Sequence, residues 1–101
     1  MTLSKTLWVS GGSTGIGRAT AIKFITQGWT VVISARDLKK LNSLKKEIEK
    51  NQRSKKIFVF KCDIRNKNQV SKTVLNIEKN IGSIDIALLN AGTTHPYSED
   101  F

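Results

Sequence analysis

The chain has 101 residues, a length that fits one domain at most. Hydrophobic residues make up 39% of it and charged residues 25%, which is ordinary for a soluble globular protein. No apolar run approaches the roughly 20 residues of a transmembrane helix, and the residues from Met1 to Thr6 lead directly into an apolar strand without room for a signal peptide. We therefore expect a cytoplasmic protein with no membrane partner.

The net charge of +9, from 17 basic and 8 acidic residues, has two interpretations. It could attract nucleic acid, or it could be a solvated surface. No aromatic interleaving and no known nucleic-acid motif accompanies the basic residues, so we favour the solvated surface and expect no nucleic-acid partner. Five lysines fall on the polar face of one predicted helix: Lys39, Lys40, Lys45, Lys46 and Lys50.

Apolar periodicity predicts four strands that alternate with three helices. A single cysteine, Cys62, follows the third strand and is expected to be a small buried hydrophobe. The predicted elements are a strand over Lys5–Ser10, a helix over Gly15–Gln27, a strand over Thr30–Ser34, a helix capped by Asp37, a strand over Ile57–Phe60, a helix that starts within residues 65–69 and closes at Gly82, and a strand over Ile84–Leu89.

Each predicted helix has an apolar stripe, and the second strand is apolar without alternation, as in a strand buried on both faces. Alternating strands and helices with right-handed crossovers predict an α/β fold. We expect a partial Rossmann-type doubly wound parallel sheet of strand order 3-2-1-4 over residues 1–92, followed by an irregular tail over residues 93–101. The stripes are Ile16, Ala19, Ile22 and Ile25, then Leu38, Leu41, Leu44 and Ile48, then Val70, Val74, Ile77 and Ile81.

A glycine-rich stretch, SGGSTGIG, joins the first strand to the first helix. At such a junction the free N–H groups of the helix face an anion, while glycines allow a sharp turn and a close approach of the backbone to a pyrophosphate. The spacing is G-x-x-x-G-x-G, and no Lys-Ser/Thr pair follows as in a P-loop. A merely structural turn is the alternative, but we interpret the stretch as a dinucleotide-binding loop. Its candidate cofactor-binding residues are Gly11, Ser13, Thr14, Gly15, Ile16 and Gly17.

Polar residues follow the other three predicted strands. Arg36 comes after the second strand, Asp63 after the third and Asn90 after the fourth. Parallel strands have their carboxyl ends at one edge of the sheet, which is where doubly wound folds bind ligands. We therefore expect these residues and the glycine-rich loop to share one rim.

Three motifs together resemble the N-terminal half of the short-chain dehydrogenase/reductase family over nearly the whole chain. Ser10-Gly11-x-x-x-Gly15-Ile16-Gly17 is similar to that family's T-G-x-x-x-G-I-G loop, with Ser in place of Thr. Asp63-Ile64 resembles its adenine-binding Asp-Val/Ile, and Asn90-Ala91-Gly92 its N-A-G. The resemblance implies a nicotinamide dinucleotide cofactor.

The resemblance also implies roles for individual residues. Asp63 would accept a hydrogen bond from the adenine amino group, the N–H of Ile64 would serve a ring nitrogen, and Asn90, followed by Ala91 and Gly92, would touch the adenosine ribose. Asp63 as a loop or helix-capping carboxylate and Asn90 as a structural turn residue are the alternatives.

The residues at the end of the second strand predict the choice of cofactor. An NAD site places an acidic side chain there, but this chain has Ala35 followed by Arg36, whose guanidinium can pair with a 2′-phosphate. We therefore expect NADP, with NAD as the alternative. Thr14 stands where NADP-type relatives often have a second basic residue, Asp37 could hold the ribose if the strand ended later, and Arg36 could instead be a solvated charge paired to Asp37.

The family's catalytic Ser and Tyr-x-x-x-Lys are absent from this sequence. Tyr97 has Phe101 four residues later instead of Lys, and the lone His95 has no companions for a metal site. The resemblance implies the cofactor-binding part of an NAD(P)(H)-dependent enzyme that oxidises alcohols or reduces carbonyls, with small-molecule substrates. An inert nucleotide-binding or interaction module, complete at 101 residues, is the alternative. Since the fourth strand is apolar and lies at an edge, we also expect self-association.

Overall fold

The computed structural model describes residues 5–11, 15–52 and 56–89. Within these ranges strands and helices alternate, as the apolar periodicity predicts. The predicted bounds hold to within one or two residues; the largest difference is the last strand, which begins at Ile86 rather than Ile84. The strands are β1 (Thr6–Ser10), β2 (Thr30–Ala35), β3 (Ile57–Lys61) and β4 (Ile86–Leu89), and the helices are α1 (Gly15–Thr26), α2 (Leu38–Gln52) and α3 (Lys67–Asn80).

All the strand pairs are parallel, and the order in the sheet is β3-β2-β1-β4. The predicted 3-2-1-4 order is therefore confirmed. In the register of the sheet, Val9 of β1 lies between Ile33 of β2 and Leu88 of β4. Because the chain winds outwards from β1 to β3 and then returns to β4, the direction of winding reverses between β1 and β4. The fold is a doubly wound, Rossmann-type α/β sheet.

Helices cover the sheet on both faces, because alternate residues of a strand point to opposite sides. Trp8 and Val32 face α3 and pack with its buried Ile77. The opposite face of β1 and β2 packs against α1 and α2, so both central strands are buried on both sides, as their uninterrupted apolar runs predict. The buried members of this second cluster are Leu7, Val9, Ala21, Ile25, Val31, Ile33, Leu41, Leu44, Ile48 and Ile57.

The predicted stripe of α1 is confirmed in its second half, where Ile25 is buried and Ile22 packs against the core, but not in its first half. Ile16 is 75% exposed and Ala19 is also exposed, whereas Gly17, Ala21 and Ile25 are buried. Because Gly17 has no side chain, the helix face that passes through it lies closest to the sheet. Ile16 then points about 100° away around the helix axis, out of the core.

The stripes of the other two helices agree better with prediction. In α2 the core side begins at Leu41, because Leu38 is the first residue of the helix and is 42% exposed. All four predicted residues of the α3 stripe pack in the cluster around Trp8, and Thr73 is buried beside them. Cys62 is 2% exposed, which confirms the predicted buried position. Across the described ranges, no helix combines the length and the apolar character needed to cross a membrane.

Candidate functional site

The carboxyl ends of the parallel strands form one rim, and three of the predicted site segments lie on it. Gly11 directly follows β1, Arg36 directly follows β2, and Asp63 lies two residues beyond β3. The N–H of Cys62 donates to the carbonyl of Ala35 (3.0 Å), which continues the pairing of β2 with β3 up to the rim. Other residues singled out in the sequence lie outside the described ranges: Ser13, Thr14, Asn90, Ala91, Gly92, His95 and Tyr97.

Gly11 begins the loop with a conformation that favours glycine. Its φ is +79°, in the left-handed region, and its N–H donates to the carbonyl of Ser34 at 2.7 Å. The hydroxyl Oγ of the same Ser34 accepts a hydrogen bond of 2.9 Å from the indole Nε1 of Trp8. The first loop residue is thus attached to β2, and a buried side-chain contact holds β2 to β1 just before the loop.

Gly15 and Gly17 lie at the start of α1 in different surroundings: one beside open space and the other against the sheet. Gly15 has a φ of +54°, and a Cβ at this position would meet no atom within 4 Å, so the space beside it is open. Gly17 is buried against the sheet, and Ile16 between them is exposed. The first N–H groups of a helix have no acceptor inside the helix. An anion could therefore approach the start of α1 on the open side of Gly15.

Arg36 is exposed on the bend between β2 and α2. The following Asp37 caps α2: its Oδ1 accepts from the N–H of Lys40 at 3.2 Å, and its carbonyl accepts from the N–H of Leu41 at 3.2 Å. Within the described residues Arg36 and Asp37 form no ion pair, so the pairing of the two side chains is not observed there, while a solvated charge at Arg36 stays the alternative to a cofactor contact.

Asp63 is held by Arg65. The Asp63 Oδ1 accepts from the main-chain N–H of Arg65 (3.0 Å) and from its Nε (3.2 Å), while Oδ2 accepts from the terminal guanidinium nitrogen (3.3 Å). These hydrogen bonds lower the pKa of Asp63 below its usual value, and the charge of Arg36 adds a smaller effect in the same direction. Arg65, and to a smaller extent Arg36, thus favour the ionised form of this rim carboxylate.

The helix-capping alternative for Asp63 is wrong, because another residue caps α3. The Oδ1 of Asn66 accepts from the N–H groups of Asn68 (3.0 Å) and Gln69 (3.1 Å), the usual arrangement at a helix N-terminus. Asp63 lies in the loop before the cap and accepts from the N–H of Arg65, so the alternative of a loop carboxylate stays open. Beside it, Ile64 packs its side chain against the cluster under α3, which anchors the loop to the sheet.

Sequence reasoning missed Arg65 as the partner of Asp63. The spacing Asp63-x-Arg65 could have predicted the contact, since a side-chain oxygen of Asp commonly accepts from the N–H of the residue two positions later in the chain. It also missed an ion pair between Arg18 of α1 and Glu47 of α2. This pair borders a cleft of about 320 Å³ lined by residues of α1 and α2: Arg18, Lys39, Lys40, Ser43, Leu44 and Glu47.

The sequence and the fold are both similar to known oxidoreductases. A 3beta-hydroxysteroid dehydrogenase of Mediterraneibacter gnavus is 34% identical over 88 residues, which are 87% of this chain and 31% of that protein. A short chain dehydrogenase from Bacillus anthracis has a TM-score of 0.78 at 36% identity, over 86% of this chain and 34% of that one. YwfH, an NADPH dependent reductase involved in bacilysin biosynthesis, has a TM-score of 0.79 at 28% identity, over 84% of this chain and 34% of that one.

The chain spans about a third of the length of the relatives that it matches. The sequence model of the family described as short chain dehydrogenase matches residues 5–100, almost the whole chain. The doubly wound sheet, and the position of the glycine-rich sequence between β1 and α1, agree with this sequence match. The chain belongs to the short-chain dehydrogenase/reductase family.

Proposed function

We propose that this chain is the N-terminal cofactor-binding part of an NAD(P)(H)-dependent oxidoreductase that oxidises alcohols or reduces carbonyls. The observation that carries the proposal is the position of Gly11, Arg36 and Asp63 at the carboxyl ends of three adjacent parallel strands in a chain of this family. Ligands of doubly wound sheets bind at that edge. No finding favours the alternative of an inert module.

In this proposal the start of α1 holds the pyrophosphate. The open space at Gly15 admits the phosphate oxygens to the backbone N–H groups of the first helical turn. Beyond the end of β3, the Asp63 carboxylate accepts from the adenine amino group and the N–H of Ile64 donates to a ring nitrogen. Asn90, with Ala91 and Gly92, contacts the adenosine ribose. When bound, the nicotinamide would give a hydride in carbonyl reduction or take one in alcohol oxidation, which is chemistry of the cofactor and not of this chain.

We propose NADP as the preferred cofactor, with NAD as the alternative. Arg36 is exposed, directly follows β2 and has no ion pair with Asp37 among the described residues, so its guanidinium is available to a 2′-phosphate. The Oδ1 of Asp37 caps α2, and NAD, with Asp37 on the ribose hydroxyls, is the alternative. The similar protein YwfH is an NADPH dependent reductase, which supports the same choice.

In this proposal, substrate binding and proton transfer are carried out by residues outside these 101. The family's Ser and Tyr-x-x-x-Lys are absent from these 101 residues, which match only about a third of the relatives' length. We therefore expect the 101-residue chain to bind the dinucleotide without turnover. Steady oxidation of NADPH by this chain alone, lost in a Gly15 variant, would contradict that expectation.

The test of the proposal is calorimetric titration of the protein, at its full natural length, with NADPH and NADH. Two matched variants, Gly15→Ala and Gly28→Ala, each add one Cβ at a left-handed glycine (φ +54° and +90°) whose Cβ would meet no atom within 4 Å. Both variants strain the backbone by about 1–2 kcal/mol. Only Gly15 lies at the rim, since Gly28 follows the far end of α1.

The two variants should separate cofactor binding from stability. We expect Gly15→Ala to weaken dinucleotide binding at least about tenfold because its Cβ intrudes on the pyrophosphate, while Gly28→Ala lowers the melting temperature and keeps the wild-type affinity. Absence of binding by the wild-type protein, or equal losses in both variants, would overturn the proposal.

A further inference from the structure

The loop that follows β3 holds Asp63 from three directions. Its main-chain N–H donates to the Oε1 of Gln69 in α3 at 2.8 Å, and its carbonyl accepts from the N–H of Asn66 at 2.9 Å. Its carboxylate is held by Arg65 through one main-chain and two side-chain donors. Both the backbone and the carboxylate plane of this residue are thereby fixed relative to α3.

The two oxygens of the carboxylate are occupied unequally. Each carboxylate oxygen can accept about two hydrogen bonds. Within the described ranges, Oδ1 accepts two, from the N–H and the Nε of Arg65, whereas Oδ2 accepts one, at 3.3 Å, from the end of the guanidinium. The acceptor position that remains is on Oδ2, and the side chain of Asp63 is 28% exposed, so a donor at the rim can reach it.

We infer that Arg65 is a positioning residue for recognition of the adenine base: it orients Asp63 so that Oδ2 accepts a hydrogen bond from the 6-amino group. The inference rests on the proposed function, in which Asp63 faces adenine. Arg65 itself need not touch the nucleotide, because it acts through the carboxylate that it holds. Its guanidinium is the only fork-shaped donor set that contacts Asp63 in the described part of the chain.

The inference predicts selectivity for the base as well as affinity. The 6-amino group of adenine donates to the free acceptor position of Oδ2. Hypoxanthine carries an oxygen at the same place, which cannot donate to a carboxylate. A protein that uses an oriented Asp63 should therefore prefer NADPH to its hypoxanthine analogue, and the preference should depend on Arg65.

The experiment titrates the protein, at its full natural length, with NADPH and with reduced nicotinamide hypoxanthine dinucleotide phosphate by calorimetry. We expect Arg65→Ala to weaken NADPH binding about tenfold and to leave the affinity for the hypoxanthine analogue unchanged. Arg65→Lys keeps the charge without the fork and should lose most of the same preference. Lys67→Ala removes an equal charge two residues further along the chain, from a side chain that has no hydrogen bond or ion pair to Asp63 in the described structure, and should behave as wild type.

The titrations distinguish failure of the inference about Arg65 from failure of the proposed function. Equal weakening of both dinucleotides by Arg65→Ala, or tighter NADPH binding because Arg65 competes with adenine for the carboxylate, would overturn the inference and leave the proposed function intact. Failure of the wild-type protein to bind either dinucleotide would overturn the proposed function and the inference with it.

Discussion

The indole Nε1 of Trp8 donates a hydrogen bond of 2.9 Å to the hydroxyl of Ser34, across the pair formed by β1 and β2. Trp8 is 3% exposed and Ser34 is 0% exposed, so water does not compete for either group. The carbonyl of Ser34 also accepts from the N–H of Gly11, the first residue of the candidate cofactor loop. One residue of β2 therefore fixes both the strand before this loop and the beginning of the loop itself.

Trp8→Phe should destabilise the protein, because the buried hydroxyl of Ser34 loses its donor. We expect the free energy of unfolding to fall by about 1–3 kcal/mol in urea denaturation. Adding Ser34→Ala removes the orphaned hydroxyl and should restore part of the loss. Trp29→Phe is the matched control, since Trp29 is only half-buried and packs edge-on against Phe24. Equal losses in the two tryptophan variants, without recovery in the double variant, would contradict the assigned role.

Arg36→Ala should change the choice of cofactor. Removing a charge-assisted contact to the 2′-phosphate should weaken NADP binding roughly ten- to a hundredfold and leave NAD nearly unchanged. Calorimetric titration of the protein at its full natural length measures both affinities. The control is Lys46→Ala, which removes the same charge from an exposed position on α2. Equal loss of both cofactors in Arg36→Ala, or a wild-type preference for NAD, rules out the assignment.

The ionisation of Asp63 should depend on Arg65. In the wild-type protein we expect the pKa of Asp63 to lie below its usual value of 3.8, and in Arg65→Ala to return towards that value, because the side-chain hydrogen bonds to the guanidinium are the largest cause of the shift. Carbon-detected NMR titration of the carboxyl group measures both, with Lys67→Ala as the charge-matched control. A wild-type titration at or above 3.8 would contradict the pairing.

The sign of the corresponding pH dependence follows from the same shift. Because the pKa of Asp63 is lower in the folded chain than in the unfolded chain, the pairing stabilises the fold above about pH 3.8. This contribution is lost as the pH falls through the lower, folded-state pKa. Urea denaturation between neutral and acidic pH should therefore show a steeper loss of stability for the wild-type protein than for Arg65→Ala.

The edge strand β4 should cause the 101-residue chain to self-associate. Its residues Ile86, Leu88 and Leu89 are 44%, 36% and 45% exposed, and in the described ranges β4 pairs with β1 alone. An unpaired apolar edge without charges is a template for pairing with another chain. Light scattering at high concentration should report masses above the 11.3 kDa of one chain.

A charge on this edge should suppress the association. Leu88→Lys places a cation on β4 and should return the mass towards that of a monomer. Leu75→Lys, on the exposed side of α3 where the leucine is 68% exposed, adds the same charge elsewhere and should not. A wild-type chain that remains monomeric at high concentration would contradict the prediction.

The sequence by itself determined the fold class, the strand order and the rim on which Gly11, Arg36 and Asp63 meet. These follow from short-range patterns: uninterrupted apolar strands, stripes at helical spacing, and the requirement that parallel strands have their carboxyl ends at one edge. The cap at Asp37 was equally predictable, because a helix N-terminus and its capping side chain are close in sequence.

Only the tertiary structure decided which residues of the first turns of α1 are buried, and which groups hold the rim residues in place. The stripe through Gly17 displaces the predicted one at Ile16 because the depth to which a helix packs on a sheet depends on the smallest residue at the contact. The Trp8–Ser34 hydrogen bond joins residues 26 positions apart. Hydrophobic periodicity reports which side of an element faces the core, but a directed contact between side chains depends on the distance and orientation between elements, which arise only when they pack.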